Sequence, residues 1–233
     1  MLYELGIRFF VYNDDNFTSD RKRAIEICGL MIKEDLHKKM GWQCRAEVNL
    51  MDDELVSWMK KANCNMIEFG VEDCSPEGIR WFKKGHTHEQ VKKAFELCKK
   101  YDIKTKSYFI LGGDFETKEN IKRKKKYISD LDPYTTTASI LIAYPATEIY
   151  RLGKEKGLWD DDIWLTECVG EKFHSCAPIY TGPHLTYLDL FSASADISYW
   201  WGKKKGKNVL KQNLGVVLNL IKEREIKKIV RMS

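Results

Sequence analysis

The sequence has no long apolar run and no closely spaced cysteine pair. Nowhere do about 18 apolar residues follow one another, as a membrane-spanning helix requires. The seven cysteines are an odd number without a CxxC pair, which argues against a disulfide framework and a zinc ribbon. The first residues, MLYELGIRFF, carry two charges and do not resemble a secretory signal peptide. These absences predict a cytoplasmic protein with reduced thiols.

Histidine is also scarce, and the five histidines form no recognisable metal site. His86 and His88 lie at a helix start, where the capping sequence THEQ already explains the stretch. The segment from Cys168 to His184 holds two cysteines and two histidines, but their spacing fits no usual zinc pattern. The sequence therefore predicts no metal-ligating set.

The composition that remains, 43% hydrophobic and 31% charged, is typical of a globular protein with a real core. The net charge of +5 gathers in short runs, among them KRKKK at residues 122–126 and KKKGK at 203–207. The KRKKK run falls on a predicted helix, and we interpret it as a solvated face.

Strand-like apolar runs alternate with helix-like patterns over most of the chain. The runs lie at about residues 7–13, 43–49, 66–72, 104–112 and 137–145. Helix starts are indicated by Thr18 or Ser19, by Asp52, and by Thr87 with Gln90. Strands joined by helices run parallel, so the pattern predicts a parallel α/β fold. From residue 158 onward the sequence becomes irregular and Trp-rich and then helical, which indicates a mainly helical C-terminal extension over residues 158–233.

Alternating residues separate an apolar face from a polar face in the predicted strands. In a parallel barrel the outward residues pack against helices, and an ordinary barrel centre is filled with branched apolar side chains. Here the inward positions are charged instead: they are Arg8, Arg45, Glu47, Glu68 and Glu72. Either these side chains form a self-satisfied network of ion pairs, or they line a polar lumen that receives a polar cofactor.

Hydrogen-bond acceptors collect at the predicted carboxyl ends of the strands, where ligands of α/β folds bind. NDD follows the first strand, Glu72 and Asp73 end the third, and Gly112-Gly113-Asp114 follow the fourth. Acceptors of this kind suit an ammonium group and ribose hydroxyls. Several carboxylates would also suit a divalent metal, so a metal-dependent hydrolase or isomerase is the competing interpretation. No histidine lies at these ends, which argues against the metal.

Five blocks of sequence resemble, in unbroken order, the radical S-adenosylmethionine (radical SAM) superfamily. The blocks are NDDNFTSDRKR, CRAEVNLMDDELVSWMKKANC, MIEFGVEDCS, KKGHTHEQVKKAFELCKKYDIKTKSYFILGG and LDPYTTTASILIAYPATEIY. More narrowly, the chain is similar to the branch that often carries an upstream cobalamin-binding domain and includes methyltransferases and a porphyrin ring cyclase. The resemblance implies a partial parallel (β/α) TIM-like barrel over residues 1–157.

The resemblance also implies the cofactors and the residues that bind them. The expected cofactors are S-adenosylmethionine (SAM) and a 4Fe-4S cluster, whose reaction gives a 5'-deoxyadenosyl radical that acts on a small-molecule substrate, with cobalamin as an option in an upstream domain. The first strand end would contact the methionine amino group, the third the ribose and the fourth the adenine, whereas the second has no assigned role. The implied cofactor-binding residues are Asn13, Asp14, Asp15, Arg45, Asn49, Glu72, Ile110, Gly112 and Gly113. No catalytic residue is assigned.

The chain departs from the family pattern in two respects. The family holds its cluster through a CxxxCxxC motif, and no three cysteines of this chain have that spacing. Met1 falls just ahead of what resembles the second family strand, so we expect the first strand and the cluster loop to be missing and this chain alone to be inactive. Family glycines are also replaced, at Asn63, Cys74, Asp114-Phe115 and Ala146. There, either the backbone has readjusted or constraint on the SAM pocket has been lost.

Two other hypotheses stand beside the enzyme. One is a catalytically silent relative that keeps the fold and a weak cofactor site. The other is a binding module whose basic C-terminal helix, NVLKQNLGVVLNLIKEREIKKIV, contacts an anionic membrane surface or, less favoured, nucleic acid. A missing first strand would also leave FFVY as an exposed apolar edge, which predicts self-association or a partner segment that covers it.

Overall fold

The computed structural model describes residues 3–166 and 177–206. Within them, five strands form one sheet: β1 is Phe9–Val11, β2 Gly41–Ala46, β3 Cys64–Glu72, β4 Lys104–Leu111 and β5 Thr135–Ile140. The helices are α1 Arg21–Lys33, α2 Asp53–Lys61, α3 Pro76–Trp81, α4 His88–Lys100, α5 Lys118–Leu131, α6 Glu148–Glu155, α7 Ile163–Thr166 and α8 Tyr187–Lys204. Short 3-10 helices lie at Leu36–Lys38 and Val48–Leu50.

The strands are parallel, and their order in the sheet, β1-β2-β3-β4-β5, is their order in the sequence. Each crossover contains a helix, as parallel neighbours require. The predicted fold class, an α/β partial parallel (β/α) TIM-like barrel, is confirmed. Register pairs Arg45 with Glu68 and Glu68 with Lys106, so these three residues lie side by side across β2, β3 and β4.

Two of the three predicted helix starts are correct. The Asp52 carboxylate accepts the Leu55 amide at the start of α2, and Thr87 with Gln90 forms a complete capping box at α4. The prediction of Thr18 or Ser19 as the cap of α1 is wrong, because Asp20 accepts the Arg23 amide. Thr18 does not cap the helix because it is buried and its hydroxyl donates to Asn16 Oδ1 in the preceding turn.

The apolar face of β3 packs into a closed core. Ile67, Phe69 and Val71 are fully buried, and the Phe69 ring lies 5.4 Å from the Phe95 ring of α4. Removing such side chains from water is the main source of stability in a domain of this size. The alternation read from the sequence therefore identifies the helix-covered face of the sheet.

The interpretation of the KRKKK run as a solvated face is wrong at one position. Lys124 is fully buried, and its Nζ lies 2.7 Å from Oδ2 of Asp73, which is fully buried as well. Lys124 lies on the same stripe of α5 as Ile128 and Leu131, one and two turns further on, and this stripe faces the core. The exposed members of the run, including Lys122 and Lys126, agree with the prediction.

The chain divides into two compact units, Met1–Phe109 with Lys122–Thr137, and Ile110–Ile121 with Ala138–Ser233. The sequence boundary at residue 157 stays a prediction. In the described ranges, 3–166 and 177–206, no helix combines the length and the apolarity that a membrane crossing needs. The basic C-terminal helix, and Cys168, His174 and Cys176, lie outside the described residues.

Candidate cofactor site at the strand ends

The middle of the polar face of the sheet is a network around one carboxylate. Glu68 is 8% exposed; its Oε1 accepts from Gln43 Nε2 at 3.2 Å and its Oε2 from the Tyr108 hydroxyl at 2.7 Å. Arg45 Nε and Lys106 Nζ lie 3.9 and 3.8 Å away. The hydrogen bond to Glu68 and burial raise the pKa of Tyr108 above its ordinary value, with burial the larger cause. Of the two hypotheses for the inward charges, the ion-pair network describes this region.

Two members of the predicted inward set lie elsewhere. Arg8 precedes β1, is exposed, and donates to the Tyr3 carbonyl at 2.8 Å while lying over the Tyr3 ring. Glu47 follows the end of β2 and is exposed. For Glu47 the prediction fails because β2 ends at Ala46, before alternation reaches it. For Arg8 the predicted parity of the first strand is wrong: Arg8 has the parity of Phe10, which pairs with the buried Trp42 on the helix-covered face of the sheet.

The residues after β1 present acceptors to solvent. Asn13 and Asp15 are exposed, and Asp14 is partly exposed and paired with Arg23 Nη1 at 3.0 Å. Arg45 Nη1 lies 3.7 Å from Asp15 Oδ1, so Arg45 connects this loop to the Glu68 network. Of the predicted site residues of the first two strands, Asp15 and Arg45 are therefore close to each other.

Asn49 is placed differently from the expectation. It was predicted as an inward residue of the second strand, but β2 ends at Ala46 and Asn49 lies in the 3-10 helix Val48–Leu50. Asn49 is exposed, whereas its neighbour Val48 is buried. Its inclusion in the site thus depends on its position after the strand and not on strand alternation.

Glu72 closes β3 in a left-handed backbone conformation, with φ of +63°. The register against β4 shifts between Gly70 and Glu72, and Lys84 Nζ lies 2.9 Å from Glu72 Oε1. Glu72 is 8% exposed, so this ion pair compensates a carboxylate that is largely removed from water. Positive φ is uncommon for a residue other than glycine and is concentrated at functional sites.

Asp73, the next residue, links the end of β3 to the start of α3 and to α5. Its Oδ1 accepts the Ser75 amide at 2.7 Å and the Ser75 hydroxyl at 2.6 Å, and its Oδ2 faces Lys124. A β-carbon at Gly78 would lie 2.3 Å from the Asp73 side chain, so glycine is needed for α3 to approach so closely. The backbone next to Glu72 is therefore held in place by these hydrogen bonds and by the close packing of α3.

The predicted residues of the fourth strand belong to the second unit. Ile110 is half-buried, and Gly112 and Gly113 are buried with φ of +120° and +104°. A β-carbon at Gly112 would lie 2.7 Å from the Tyr180 carbonyl oxygen, so only glycine fits the turn. The Gly112 amide donates weakly, at 3.4 Å, to the carboxylate of Glu116, which is fully buried.

Asp114, where the resemblance predicts a proline, forms close contacts with two other side chains. Its carboxylate lies 2.7 Å from Lys156 Nζ and accepts the Tyr180 hydroxyl at 2.7 Å, while Lys156 Nζ contacts the same hydroxyl at 2.6 Å. These interactions outweigh burial and hold the pKa of Asp114 below its ordinary value. The three groups fix the turn that follows Gly112-Gly113.

Two positions at which the resemblance predicts a glycine have the backbone conformation that glycine favours. Asn63 has φ of +67° and Ala146 has φ of +64°. Asn tolerates this region, and the Asn63 side chain donates to the Met40 carbonyl at 3.0 Å. Ala146 pays a steric cost of about 1 kcal/mol for it. At these two positions the turn has been retained at the expense of strain.

The cysteines of the described residues do not form a cluster site. Burial raises the pKa of Cys28 and of Cys98 to about 12, and burial raises that of Cys64 well above its ordinary value. Cys44 lies close to all three, so four thiols from four elements share one apolar layer. Cys64 is the first residue of β3 rather than part of a helix. In residues 3–166 and 177–206, no group of three or more metal-ligating side chains occurs.

Several side chains of this region were missed in the sequence. Lys106 and Tyr108 follow the inward parity of β4, but the outward Thr105 and Ser107 of that strand are polar and hid the alternation. Both outward residues are buried, and Ser107 donates to the Thr136 hydroxyl. Lys84 gave no sequence pattern at all, because it reaches Glu72 from a turn after α3.

Comparison with known proteins identifies the family and the fold. The Radical SAM superfamily profile matches residues 2–128. An uncharacterized methyltransferase of Pyrococcus horikoshii is 32% identical over 184 residues, which cover 79% of this chain and 38% of that protein. An anaerobic magnesium-protoporphyrin IX monomethyl ester cyclase of Cereibacter sphaeroides is 31% identical over 153 residues, 65% of this chain and 25% of that protein. The chain thus spans less than half the length of these relatives.

Solved structures with the same fold include two SAM radical enzymes. The methyltransferase TsrM of Kitasatospora setae, with tryptophan substrate and a SAM analogue bound, has a TM-score of 0.66 at 19% identity over 84% of this chain and 44% of that chain. The cobalamin-dependent enzyme OxsB has a TM-score of 0.56 at 16% identity over 86% of this chain and 34% of that chain. At these identities the likeness shows the fold alone.

Proposed function

The chain belongs to the radical SAM superfamily, and on that premise we propose that residues 1–157 are the SAM-binding part of an enzyme for methyl transfer or ring cyclisation. Its substrate would be a small molecule, as it is for the related porphyrin cyclase and the methyltransferase TsrM. One observation carries the proposal: Glu72, at the carboxyl end of β3, keeps one carboxylate oxygen, Oε2, without a donor from the described residues.

The donor set at the strand ends fits SAM. Carboxylate and amide oxygens of Asn13, Asp14 and Asp15 suit an ammonium group, and the Glu72 oxygen suits ribose hydroxyls. Arg45 and Asn49 are further proposed members of this site. Ile110, Gly112 and Gly113 belong to the second unit and stay predicted cofactor-binding residues. In family members, SAM bound to a reduced 4Fe-4S cluster supplies a 5'-deoxyadenosyl radical; the protein groups bind, orient and shield the reactants.

The described residues do not fit the 4Fe-4S cluster. The family holds its cluster through the three thiolates of a CxxxCxxC loop, whereas Cys28, Cys64 and Cys98 come from separate elements and burial raises the pKa of each. We therefore propose that this 233-residue chain, taken by itself, does not generate the radical, and we derive no step through a cluster here.

Titration of the purified chain with SAM and with 5'-deoxyadenosine tests the cofactor site. Glu72→Ala removes an acceptor that is charged and nearly buried, so we expect its affinity for both ligands to fall roughly tenfold. The matched control is Glu96→Ala, which removes an exposed carboxylate of α4. Equal affinity of Glu72→Ala and the unchanged chain would refute the role of Glu72 in the site and leave its carboxylate as a structural member of the polar face only.

Anaerobic reconstitution with iron and sulfide, followed by dithionite and SAM, tests the proposed inactivity. We expect little bound iron and no 5'-deoxyadenosine above the level of a protein-free control. Near-stoichiometric cluster loading with SAM cleavage would show that these thiols can meet.

The edge strand supports an additional proposal about partners. Ile7, Phe9 and Val11 are 37%, 45% and 51% exposed, which is unusual for a strand in a parallel sheet. We propose that β1 pairs with another chain or segment, and sedimentation of the chain over a range of concentrations tests this. A concentration-independent monomer that resists aggregation would contradict it.

Salt-sensitive binding to anionic vesicles or DNA would instead favour the binding module.

A further inference from the structure

The carboxylate of Glu72 occupies space that a side chain would otherwise fill. Residues two apart in a regular strand project side by side, but the register shift and the positive φ of Glu72 break this pattern. An ideal β-carbon built on Gly70 would lie 2.6 Å from Glu72 Oε1. The absence of a side chain at Gly70 therefore leaves room for the Glu72 carboxylate on the polar face of β3.

Lys84 is brought to this position by the turn after α3. Lys83 adopts φ of +53°, and the Lys84 amide donates to the Ile79 carbonyl at 3.0 Å, which closes the turn. Lys84 Nζ then lies 2.9 Å from Glu72 Oε1 and 3.5 Å from the ideal β-carbon of Gly70.

The two oxygens of Glu72 are consequently not equivalent. Oε1 is engaged by Lys84, while no donor in the described ranges, 3–166 and 177–206, contacts Oε2. Glu68 differs at the same degree of burial, because both of its oxygens accept hydrogen bonds from neighbouring strands. A nearly buried carboxylate with one oxygen left open is a ready acceptor for a ligand hydroxyl.

We infer that Lys84 is a positioning residue that holds the Glu72 carboxylate over Gly70, so that Oε2 accepts the vicinal hydroxyls of a nucleoside ribose. This inference rests on the proposed function, which makes Glu72 part of the cofactor site. It adds the group that fixes the carboxylate, and it predicts discrimination between ribose and 2'-deoxyribose. The lysine acts through the carboxylate and does not take part in the chemistry.

Two substitutions displace the same carboxylate by independent means. Lys84→Met removes the ion pair, and Gly70→Ala places a methyl group where Oε1 lies. The probes are 5'-deoxyadenosine and 2',5'-dideoxyadenosine, with calorimetric titration of the full chain. The control, Lys93→Met, removes an exposed charge of α4, and Lys84→Arg retains the positive charge.

We expect the unchanged chain, Lys93→Met and Lys84→Arg to prefer the ribose probe. Lys84→Met and Gly70→Ala should each bind the ribose probe roughly tenfold more weakly, with the deoxy probe within about twofold of its original affinity. Because both substitutions act on one group, the double variant should lose no more than either single variant.

The outcomes separate the inference from the proposed function. Retained ribose preference in Lys84→Met and Gly70→Ala, with loss in Glu72→Ala, would overturn the role of Lys84 and leave the site intact. Unchanged binding by Glu72→Ala would overturn both. Equal weakening of both probes would show a merely structural lysine and also overturns the inference. Circular dichroism verifies folding; if Lys84→Met unfolds, Lys84→Gln and Gly70→Ala decide the result.

Discussion

The two faces of β3 bury ionisable groups in opposite ways. On the apolar face, Ile67, Phe69 and Val71 are fully buried beside a layer of thiols, and burial raises the pKa of Cys28 and Cys98 in that layer. On the polar face, Glu68 and Glu72 are each 8% exposed and are met by basic side chains. The apolar face stabilises the fold by removing uncharged side chains from water. The polar face holds charged carboxylates, and these require basic side chains nearby because an unpaired buried charge is unfavourable.

The polar face itself contains two environments. Gln43, Tyr108, Arg45 and Lys106 surround Glu68 from adjacent strands, so the middle of the sheet is satisfied by its own residues. Glu72 at the carboxyl edge has one partner, which comes from a turn. Equal burial therefore conceals different roles: Glu68 is structural, whereas Glu72 is proposed to bind the cofactor.

The largest expected effect comes from the support of the carboxyl edge. Lys124→Met leaves the buried Asp73 carboxylate without its cation, and we expect a loss of about 4 kcal/mol in the free energy of unfolding. Urea denaturation measures it. The control Lys126→Met, an exposed lysine of the same run, should change stability by less than about 0.5 kcal/mol. Equal effects would mean that the buried pair is not formed.

Alkaline pH should sharpen the contrast between the two faces. In the folded chain the pKa of Cys28 and of Cys98 is raised from 9.0 to about 12. Between these values the native state retains protons that the unfolded state has lost, so stability is present below pH 9 and falls as pH rises. From pH 8 to pH 10 the two thiols should cost about 3 kcal/mol.

Denaturation curves across that range measure the alkaline loss. A Cys28→Ala and Cys98→Ala double variant should show a flatter dependence on pH, because it lacks the titrating groups. An identical slope in the double variant would show that these thiols ionise as readily in the folded chain as in the unfolded one.

Glu68→Gln tests whether the middle of the polar face is structural. The change leaves Arg45 and Lys106 facing each other without a carboxylate, and we expect a loss of about 2 kcal/mol. SAM affinity should stay within about twofold. Glu72→Gln should show the reverse, a small change in stability and a large change in SAM affinity. If both variants changed stability and affinity alike, Glu68 and Glu72 would not have different roles.

The smallest expected effect is that of Tyr108→Phe. The variant removes the hydroxyl that donates to Glu68 at 2.7 Å, and we expect a loss of about 1 kcal/mol without a change in ligand affinity. Tyr101→Phe is the matched control, because its hydroxyl donates to Asp53 at an exposed site. Tyr101→Phe should cost less, since water replaces the lost hydrogen bond there. If Tyr101→Phe lost more stability than Tyr108→Phe, the hydrogen bond to Glu68 would not be better shielded from water than the exposed one.

Local patterns predict only part of the polar region at the strand ends. Asp14, Asp15 and Glu72 stand out in the sequence because a strand end is marked by the transition from apolar alternation to polar residues. Asn49 was assigned to a strand that had already ended, since boundaries depend on hydrogen bonds that alternation does not report. Lys124 had a helical pattern that pointed inward, but its charge favoured the surface interpretation.

Local sequence patterns predict the α/β class, the order of the parallel strands and the polar and apolar faces of β2 and β3. These properties follow from short-range periodicity and from connections that contain helices, and both can be recognised along the chain. Three contacts are visible only in the folded chain: Lys84 engages one oxygen of Glu72, Lys124 is buried against Asp73, and four thiols share one layer. Such contacts join segments far apart in sequence, and their energies depend on burial and on distances that exist only after the chain has folded.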